Sequence, residues 1–107
     1  MRRSPCFAAC GGAVLLGLST AAGAAPQTYT VVIQKMKFGP LPAQVRKGDS
    51  IIWVNRDILR HTATAADHSF DVDLRAGAKG KTLIRKTGAI AFTCRYHPGM
   101  RGVLKVQ

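Results

Sequence analysis

A cysteine, a histidine and a methionine recur at intervals of three residues near the end of the chain, as Cys94, His97 and Met100. Pro98 bends the backbone between the last two, and a second imidazole, His61, precedes the cysteine by 33 positions. Two His, one Cys and a weak axial Met form the ligand set of a mononuclear blue-copper site. The spacing therefore predicts one type 1 copper ion per chain, held by His61, Cys94, His97 and Met100.

Other metals fit these residues less well. A structural zinc site normally has four Cys or His ligands, and only three strong ligands are present unless His68 joins them. Calcium and magnesium prefer oxygen ligands, which this motif does not supply. Taken singly, a cysteine, histidine or methionine is more often a packing or surface residue than a ligand, so the prediction depends on their combination. His68 fits no position in it and is expected to be solvated or to lie behind a ligand.

The first 24 residues have the pattern of a secretory signal peptide. Met1 is followed by two arginines, an apolar stretch runs through residues 13–18, and small residues at 22–24 suit a cleavage site. The apolar stretch is shorter than the roughly 20 residues of a spanning helix. We therefore expect residues 1–24 to be removed by an export route that the sequence leaves open. Residues 25–107 would then form one small domain in the periplasm, without stable membrane insertion.

Cys94 would be the only thiol of the exported protein, because Cys6 and Cys10 lie in the predicted signal peptide. A single cysteine excludes an internal disulfide, and a free thiol outside the cytoplasm is exposed to oxidation. A bound metal ion would occupy that sulfur. The cysteine count therefore agrees with the copper site predicted from the spacing.

The predicted domain is strongly basic. Residues 25–107 contain 14 Lys and Arg and five Asp, a formal charge of +9. The cations are scattered from Lys35 to Lys105 and aromatic residues are few, unlike the clustered basic stripe and stacking rings of a nucleic-acid surface. The charge instead favours an acidic protein or an anionic surface as the partner. Together with the predicted copper site, it suggests a redox partner protein with an acidic docking surface, such as a dehydrogenase or a cytochrome c. We expect a monomer that makes transient contacts.

Short β-prone runs separated by turn residues predict an all-β domain. The predicted strands cover residues 29–33, 50–55, 61–64, 81–85, 89–94 and 102–106, while residues 65–79 give no clear pattern. This arrangement places His61 at the start of one strand, and the loop of residues 94–100, here called the ligand loop, between the last two. Asn55, six residues before His61, is expected to hydrogen-bond across to the ligand loop.

The chain resembles the cupredoxins, and among them the amicyanin type, over almost the whole predicted domain. The resemblance implies a Greek-key β-sandwich and a periplasmic one-electron carrier that is not an enzyme. It also implies that His61, Cys94, His97 and Met100 bind copper and that electrons pass through the edge of His97. The motifs that carry the resemblance are Met36-Lys37-Phe38, Val45-Arg46-Lys47-Gly48-Asp49, Ile52-Trp53-Val54-Asn55-Arg56, Cys94-x-x-His97-Pro98-x-Met100 and Arg101-Gly102.

Three positions depart from the amicyanin pattern. Arg60 and Tyr96 stand where amicyanins have proline, and Gly99 stands where they have phenylalanine. These changes lie on the surface that would meet a partner. They predict a docking face that is less apolar and more basic, formed by Arg60, Arg95 and Arg101 around Met36, Leu59, Tyr96 and Pro98.

The sequence gives less support to other functions that would use the same ligands. A protein that stores or delivers Cu(I) would need an exchangeable metal ion, and the predicted domain offers only Met36 and His68 as additional soft or imidazole ligands. An oxidase or reductase domain would need an open coordination position or a second copper centre, and the chain has only three histidines. The sequence therefore predicts an electron carrier, with Cu(I) storage or delivery as the alternative.

Overall fold

The computed structural model describes residues 25–107, and every regular element in that range is a β-strand. The predicted signal peptide, residues 1–24, lies outside the described residues and stays a prediction. No helix formed by the described residues is long and apolar enough to cross a membrane. The strands are β1 (Thr28–Gln34), β2 (Lys37–Phe38), β3 (Ser50–Asn55), β4 (His61–Ala65), β5 (Asp71–Leu74), β6 (Lys79–Leu83), β7 (Gly88–Thr93) and β8 (Arg101–Val106).

The strands form two four-stranded sheets, with the orders β2-β1-β3-β6 and β5-β4-β7-β8. Only β1 and β3 pair in parallel. The chain passes between the sheets after β3, β5 and β6, as in a Greek-key sandwich. β2 packs beside β8 and β5 packs beside β6, so each edge of one sheet lies next to an edge of the other. The prediction of an all-β sandwich is confirmed.

Alternating side chains of the strands fill the space between the sheets. Along β3, Ile51 and Trp53 are fully buried, while Ile52 and Val54 are half-buried on the outer face. The Trp53 ring lies edge-on to Phe92, with 5.3 Å between ring centroids, and its indole N–H donates to Thr82 Oγ1 at 3.0 Å. Phe38 and Phe70 complete this aromatic cluster. Because aromatic burial dominates small cores, the cluster fixes how the two sheets face each other.

β5 is a strand that the sequence analysis did not locate. Asp71 and Asp73 are exposed, whereas Val72 is half-buried and Leu74 is fully buried, which is the alternation of a strand with one buried face. The run has only four residues and two acids, which are rare in strands, so its pattern is faint in the sequence. Its acidic side chains matter below, because β5 runs beside the ligand loop.

The predicted turn before β3 is held by the carboxylate of Asp49, whose residue is only 3% exposed. Asp49 accepts hydrogen bonds at 2.8 Å from the backbone N–H groups of Gln27 and Arg46. Gly48 has φ +98°, a conformation that glycine adopts without strain. The hydrogen bonds from Gln27 and then Arg46 hold the pKa of Asp49 below its usual range. This carboxylate therefore joins the start of β1 to the start of β3 in its ionised form.

We expect Asp49→Asn to lower the free energy of unfolding at neutral pH, with a difference from the parent protein that shrinks in acid. The pKa of Asp49 is lower in the folded state than the value of about 3.9 for an unfolded Asp. The carboxylate therefore stabilises the fold above the unfolded pKa, and this contribution is lost as the pH falls through the folded pKa. Urea unfolding of both copper-free proteins between about pH 7 and about pH 2.5 measures the difference. A difference that stays constant over this range would contradict the assignment.

Candidate metal centre

Three predicted ligands meet at one end of the sandwich, here called the ligand end. His61 begins β4, Cys94 follows the last residue of β7, and His97 lies in the ligand loop before β8. β4 and β7 are antiparallel, with Thr64 opposite Thr93, so the start of one strand lies at the end of the other. The strand pairing therefore brings together residues 33 positions apart in sequence.

The ligand atoms have the separations that a metal ion requires. Cys94 Sγ lies 3.7 Å from His61 Nδ1 and 3.6 Å from His97 Nδ1, and all three ligand atoms lie within 4.8 Å of one another. With metal bonds of about 2.0 Å to nitrogen and about 2.3 Å to sulfur and an angle of roughly 110–120° between them, the nitrogen and sulfur atoms would lie about 3.5–3.7 Å apart. The residues present therefore fit a single ion between the sulfur and the two imidazoles.

The three predicted ligands differ in their access to solvent. His61 and Cys94 are fully buried, whereas His97 is only half-buried. The two imidazole rings lie edge-to-face with their centroids 5.0 Å apart. Of the three predicted ligands, His97 is therefore the one nearest to the protein surface.

Met100 lies at the end of the ligand loop, and its residue is 6% exposed. Its backbone carbonyl accepts from Cys94 N at 3.0 Å, and its N–H donates to His97 O at 2.8 Å. His97 N in turn donates to Cys94 O at 3.3 Å. The loop is thus folded back on itself by its own backbone, and Met100 lies beside the cluster. Its role as the axial ligand stays a prediction.

Thr62 contacts the ligand loop at two points, and the sequence predicted no role for it at the site. Its N–H lies 3.3 Å from Cys94 Sγ, and its Oγ1 accepts from Arg95 N at 2.8 Å. An N–H directed at sulfur favours the thiolate and lowers its electron donation to a metal, which is one way in which proteins adjust reduction potentials. Only its position next to His61 in a strand could have suggested this role.

Asp57 is a second residue that the sequence analysis missed. Its Oδ2 lies 2.7 Å from His61 Nε2, on the side of the ring opposite the sulfur. The same carboxylate accepts from Lys35 N at 2.7 Å and from Met36 N at 3.0 Å. Burial alone would raise the pKa of Asp57, but these hydrogen bonds together hold it below its usual range. An ionised Asp57 orients His61 with Nδ1 towards the metal position, as carboxylates behind metal-binding histidines commonly do.

Asn55 has partners different from those expected. We predicted a hydrogen bond to the ligand loop, and the structure shows that this is wrong. The fully buried Asn55 donates instead to the carbonyl groups of Leu59 and Leu74 at 2.8 and 3.1 Å, and accepts from Asp57 N at 2.9 Å. It therefore shapes the loop from β3 to β4 and joins it to the end of β5. The Asn55 side chain bonds within the loop from β3 to β4 because the backbone groups of that loop have no hydrogen-bond partners in a neighbouring strand.

His68 stays outside the cluster. It is exposed in the turn between β4 and β5, where its N–H donates to Ala65 O at 3.0 Å with φ +64°. Among residues 25–107, the only group of three or more His, Cys, Asp or Glu side chains close enough to share an ion is His61, Cys94 and His97. The expectation that His68 is solvated is confirmed.

Two of the three arginines predicted to make the docking face basic are engaged in ion pairs. Arg60 Nε and Nη2 donate to the two oxygens of Asp73 at 2.8 and 2.9 Å. Arg95 Nη1 lies 2.6 Å from Asp71 Oδ2, and the Arg60 guanidinium stacks 5.8 Å above the Tyr96 ring centroid. The hydrogen bond from Arg60 lowers the pKa of Asp73, and the bond to Asp71 raises the pKa of Arg95. This part of the face is therefore close to neutral.

Comparisons with known proteins agree with this geometry. The family model described as a cupredoxin-like domain matches residues 7–106. No curated protein matches the chain significantly. Many solved structures resemble it in fold, and three of them are 18–23% identical to it. A reduced amicyanin variant in which a proline is replaced by phenylalanine has a TM-score of 0.65 and 23% identity over 75% of this chain and 82% of its own.

Two further neighbours have TM-scores of 0.63. A purple cupredoxin from Nitrosopumilus maritimus is 18% identical and covers 73% of this chain and 98% of its own. An amicyanin variant with a methionine replaced by alanine, in the Cu(I) form, is 22% identical and covers 83% of this chain and 88% of its own. The cupredoxin fold and the His61, Cys94 and His97 cluster beside Met100 fit one type 1 copper ion. From its family match and its fold, this chain belongs to the cupredoxins.

Proposed function

We propose that this protein is an exported, periplasmic carrier of single electrons, and that it has no substrate turnover of its own. When bound, copper supplies a one-electron Cu(II)/Cu(I) couple at the site. The observation that carries the proposal is the placement of one buried cysteine sulfur between two imidazole Nδ1 atoms at 3.6 and 3.7 Å. The periplasmic location depends on the predicted signal peptide at residues 1–24.

Each ligand has a separate role in this proposal. Cys94 supplies the strongly bound thiolate, His61 and His97 supply the two imidazoles, and Met100 supplies a weak axial thioether. Electron transfer is fast only when the ligands move little between the two oxidation states. Three features restrain such movement: the buried start of β4, the hydrogen bond from Thr62 N to the Cys94 sulfur, and the backbone hydrogen bonds within the ligand loop.

The half-buried His97 is the proposed point of electron exchange with a partner protein. Exposed apolar side chains occur at the same end of the sandwich, including Tyr96 in the ligand loop and Leu59 in the connection before His61. Apolar side chains dehydrate readily when a partner docks, and this allows brief contacts at short distance. We propose a monomer that meets a redox protein with an acidic docking surface, in keeping with the formal charge of +9 over residues 25–107.

A visible absorption spectrum of the copper-loaded domain, before and after addition of ascorbate, tests this function. We expect an intense blue or purple band that bleaches on reduction and returns in air, since such a band requires a thiolate bound to Cu(II). A pale spectrum would contradict the electron-carrier proposal and favour Cu(I) storage or delivery. A Cu(I) chelator provides the control: the carrier should keep its metal through repeated cycles, whereas a delivery protein should lose it rapidly.

A further inference from the structure

Two acidic side chains are linked to the metal site by hydrogen bonds. Asp57 joins the His61 ring to the hairpin turn from β1 to β2. In that turn Lys35 and Met36 have left-handed φ values of +55° and +59°. Asp71 lies on β5, and within the described part of the chain it forms a hydrogen bond with none of the predicted ligands. Its contacts nevertheless lead back to the cysteine ligand through a closed ring of hydrogen bonds.

The ring starts and ends at Arg95, the residue after Cys94. The backbone N–H of Arg95 donates to Thr62 Oγ1 at 2.8 Å, and Thr62 Oγ1 lies 2.9 Å from Thr64 Oγ1. The Thr64 hydroxyl donates to Asp71 Oδ1 at 2.8 Å. The Arg95 guanidinium closes the ring, because its Nη1 donates to the two Asp71 oxygens at 2.7 and 2.6 Å. We call Thr62, Thr64, Asp71 and Arg95 the Asp71 ring.

Strand geometry places the side chains of the Asp71 ring on one face. Thr62 and Thr64 are two positions apart on β4, so both point to the outer face of their sheet. Asp71 lies directly opposite Thr64 on the antiparallel β5 and shares that face. Thr62 is nevertheless fully buried, whereas Thr64 is half-buried and the other two residues are exposed. The ring therefore runs from the solvent to a buried residue whose N–H is directed at the Cys94 sulfur.

The chemistry of the four groups determines the direction of each hydrogen bond. A carboxylate only accepts, so the single hydroxyl hydrogen of Thr64 is donated to Asp71. Between the two hydroxyl groups, Thr62 must then be the donor, and its hydrogen is directed away from Arg95 N. The lone pairs of Thr62 Oγ1 remain free to accept from that N–H. Asp71 therefore determines, through two hydroxyl groups, that Thr62 is an acceptor for the ligand loop.

The same ring holds the hydrogen bond to the cysteine sulfur. Thr62 donates its backbone N–H to Cys94 Sγ at 3.3 Å while its hydroxyl accepts from Arg95 N. Thr62 is thereby bonded to two consecutive residues of the ligand loop, so a shift of its side chain would also displace its N–H from the sulfur. Hydrogen bonds in a chain polarise one another, and the negative charge of Asp71 strengthens the bond at Arg95 N. The ring therefore couples a carboxylate on β5 to the N–H that faces the sulfur.

We propose that Thr64 and Asp71 are positioning residues for the Cys94 sulfur, acting through Thr62 and Arg95. This inference rests on the proposed electron-carrier function, and it specifies how the fold adjusts the reduction potential of the site. An exposed arginine–carboxylate pair by itself contributes little to stability. The pair of Arg95 and Asp71 acts instead by holding the ligand loop on β5 and by setting the direction of the hydrogen bonds behind the sulfur.

Thr64→Val tests the Asp71 ring without changing any charge, because valine has nearly the same shape as threonine but no hydroxyl. A displaced Thr62 N–H leaves more electron density on the thiolate, which then stabilises Cu(II). At a fixed applied potential we expect the ratio of Cu(I) to Cu(II) to fall about threefold, or roughly 30 mV for one electron. The Cu–S stretching frequency in the resonance Raman spectrum should rise. Thr64→Ser keeps the hydroxyl and should restore the parent values of both.

Thr93→Val is the matched control for Thr64→Val. Thr93 lies opposite Thr64 on β7 and directly precedes Cys94, but its hydroxyl is outside the Asp71 ring. The substitution removes the same group from the same face of the sheet, at least as near to the sulfur along the chain. Thr93→Val should therefore leave the ratio of Cu(I) to Cu(II) and the Raman frequency close to the parent values.

Hydrogen exchange of the Arg95 amide tests the ring without relying on the colour of copper. In the Cu(I) protein, and equally in the copper-free protein, we expect Thr64→Val and Asp71→Ala to speed this exchange about tenfold, because the bond from Arg95 N to Thr62 is weakened. Asp73→Ala is the control, since it truncates the next outward-facing carboxylate of β5. It should change the exchange rate of Arg95 by less than about twofold.

Several results would overturn the positioning role. They are equal shifts for Thr64→Val and Thr93→Val, a Thr64→Ser protein that behaves like Thr64→Val, and an unchanged exchange rate of Arg95 in Asp71→Ala. A parent protein that shows no reversible copper band would instead overturn the proposed function. The exchange of the Arg95 amide in the copper-free protein would still test the ring in that case, so the two failures are distinguishable.

Discussion

Replacing Cys94 by alanine will abolish the intense visible band of the copper-loaded protein and weaken copper binding by more than about a hundredfold. Loss of a residue behind a metal ligand already costs roughly 10–100-fold in affinity, and here the only thiolate of the described domain is removed. Cys94→Ser is the companion variant, because its hydroxyl keeps nearly the same volume and can still accept from Thr62 N. The Cys94→Ser protein should fold like the parent protein but be as colourless as Cys94→Ala. A blue Cys94→Ala protein would show that the thiolate assignment is wrong.

Met100→Leu tests the axial position independently of the Cys94 thiolate. Leucine preserves the burial of the side chain but offers no sulfur, so the band should persist while the reduction potential rises. A weak thioether stabilises Cu(II) more than Cu(I), and its loss therefore favours the reduced state. Met36→Leu is the matched control, since Met36 is exposed on the hairpin turn and should leave the potential unchanged. A colourless Met100→Leu protein, or equal potentials for all three proteins, would contradict the axial assignment.

The cluster of His61, Cys94 and His97 could be predicted from sequence because such side chains are rare in combination. Cys94, His97 and the proposed axial residue Met100 come from one seven-residue loop, and loop spacing is read directly from the sequence. β3 was predicted from a run of β-branched and aromatic residues, and its side chains alternate between buried and half-buried. β2 and β5 are too short, with two and four residues, for their pattern to stand out.

The roles of the acidic residues could not be predicted in the same way. Asp57, Asp71 and Asp73 act on partners 4 to 24 positions away, and nothing in their local sequence indicates which cation or N–H group each will meet. Net charge counted along the chain therefore overstated how basic the docking face is near Arg60 and Arg95. Asn55 illustrates the same limit, since its residue type predicts a buried hydrogen-bonding role but not its partners.

The second large effect is expected from Asp57→Asn, which should raise the reduction potential by about 50–100 mV. A unit negative charge next to the His61 ring stabilises Cu(II) over Cu(I), and at an effective dielectric of about 20 such an interaction amounts to roughly 1–2 kcal/mol. For one electron, about 1.4 kcal/mol corresponds to about 59 mV. Asp67→Asn, a carboxylate removed far from the site, is the control and should shift the potential far less. Voltammetry of the three copper-loaded proteins measures the shifts.

The same substitution should also destabilise the fold by about 1–3 kcal/mol, because one amide oxygen cannot replace two carboxylate oxygens that serve three N–H donors. The two effects have different origins and can be separated. Adding Met36→Gly to Asp57→Asn relieves the left-handed conformation at position 36, where glycine is unstrained, and should restore much of the stability. It restores no negative charge, so the raised potential should remain. If Met36→Gly returned the potential to its original value, Asp57 would act on His61 through the hairpin turn rather than through its charge.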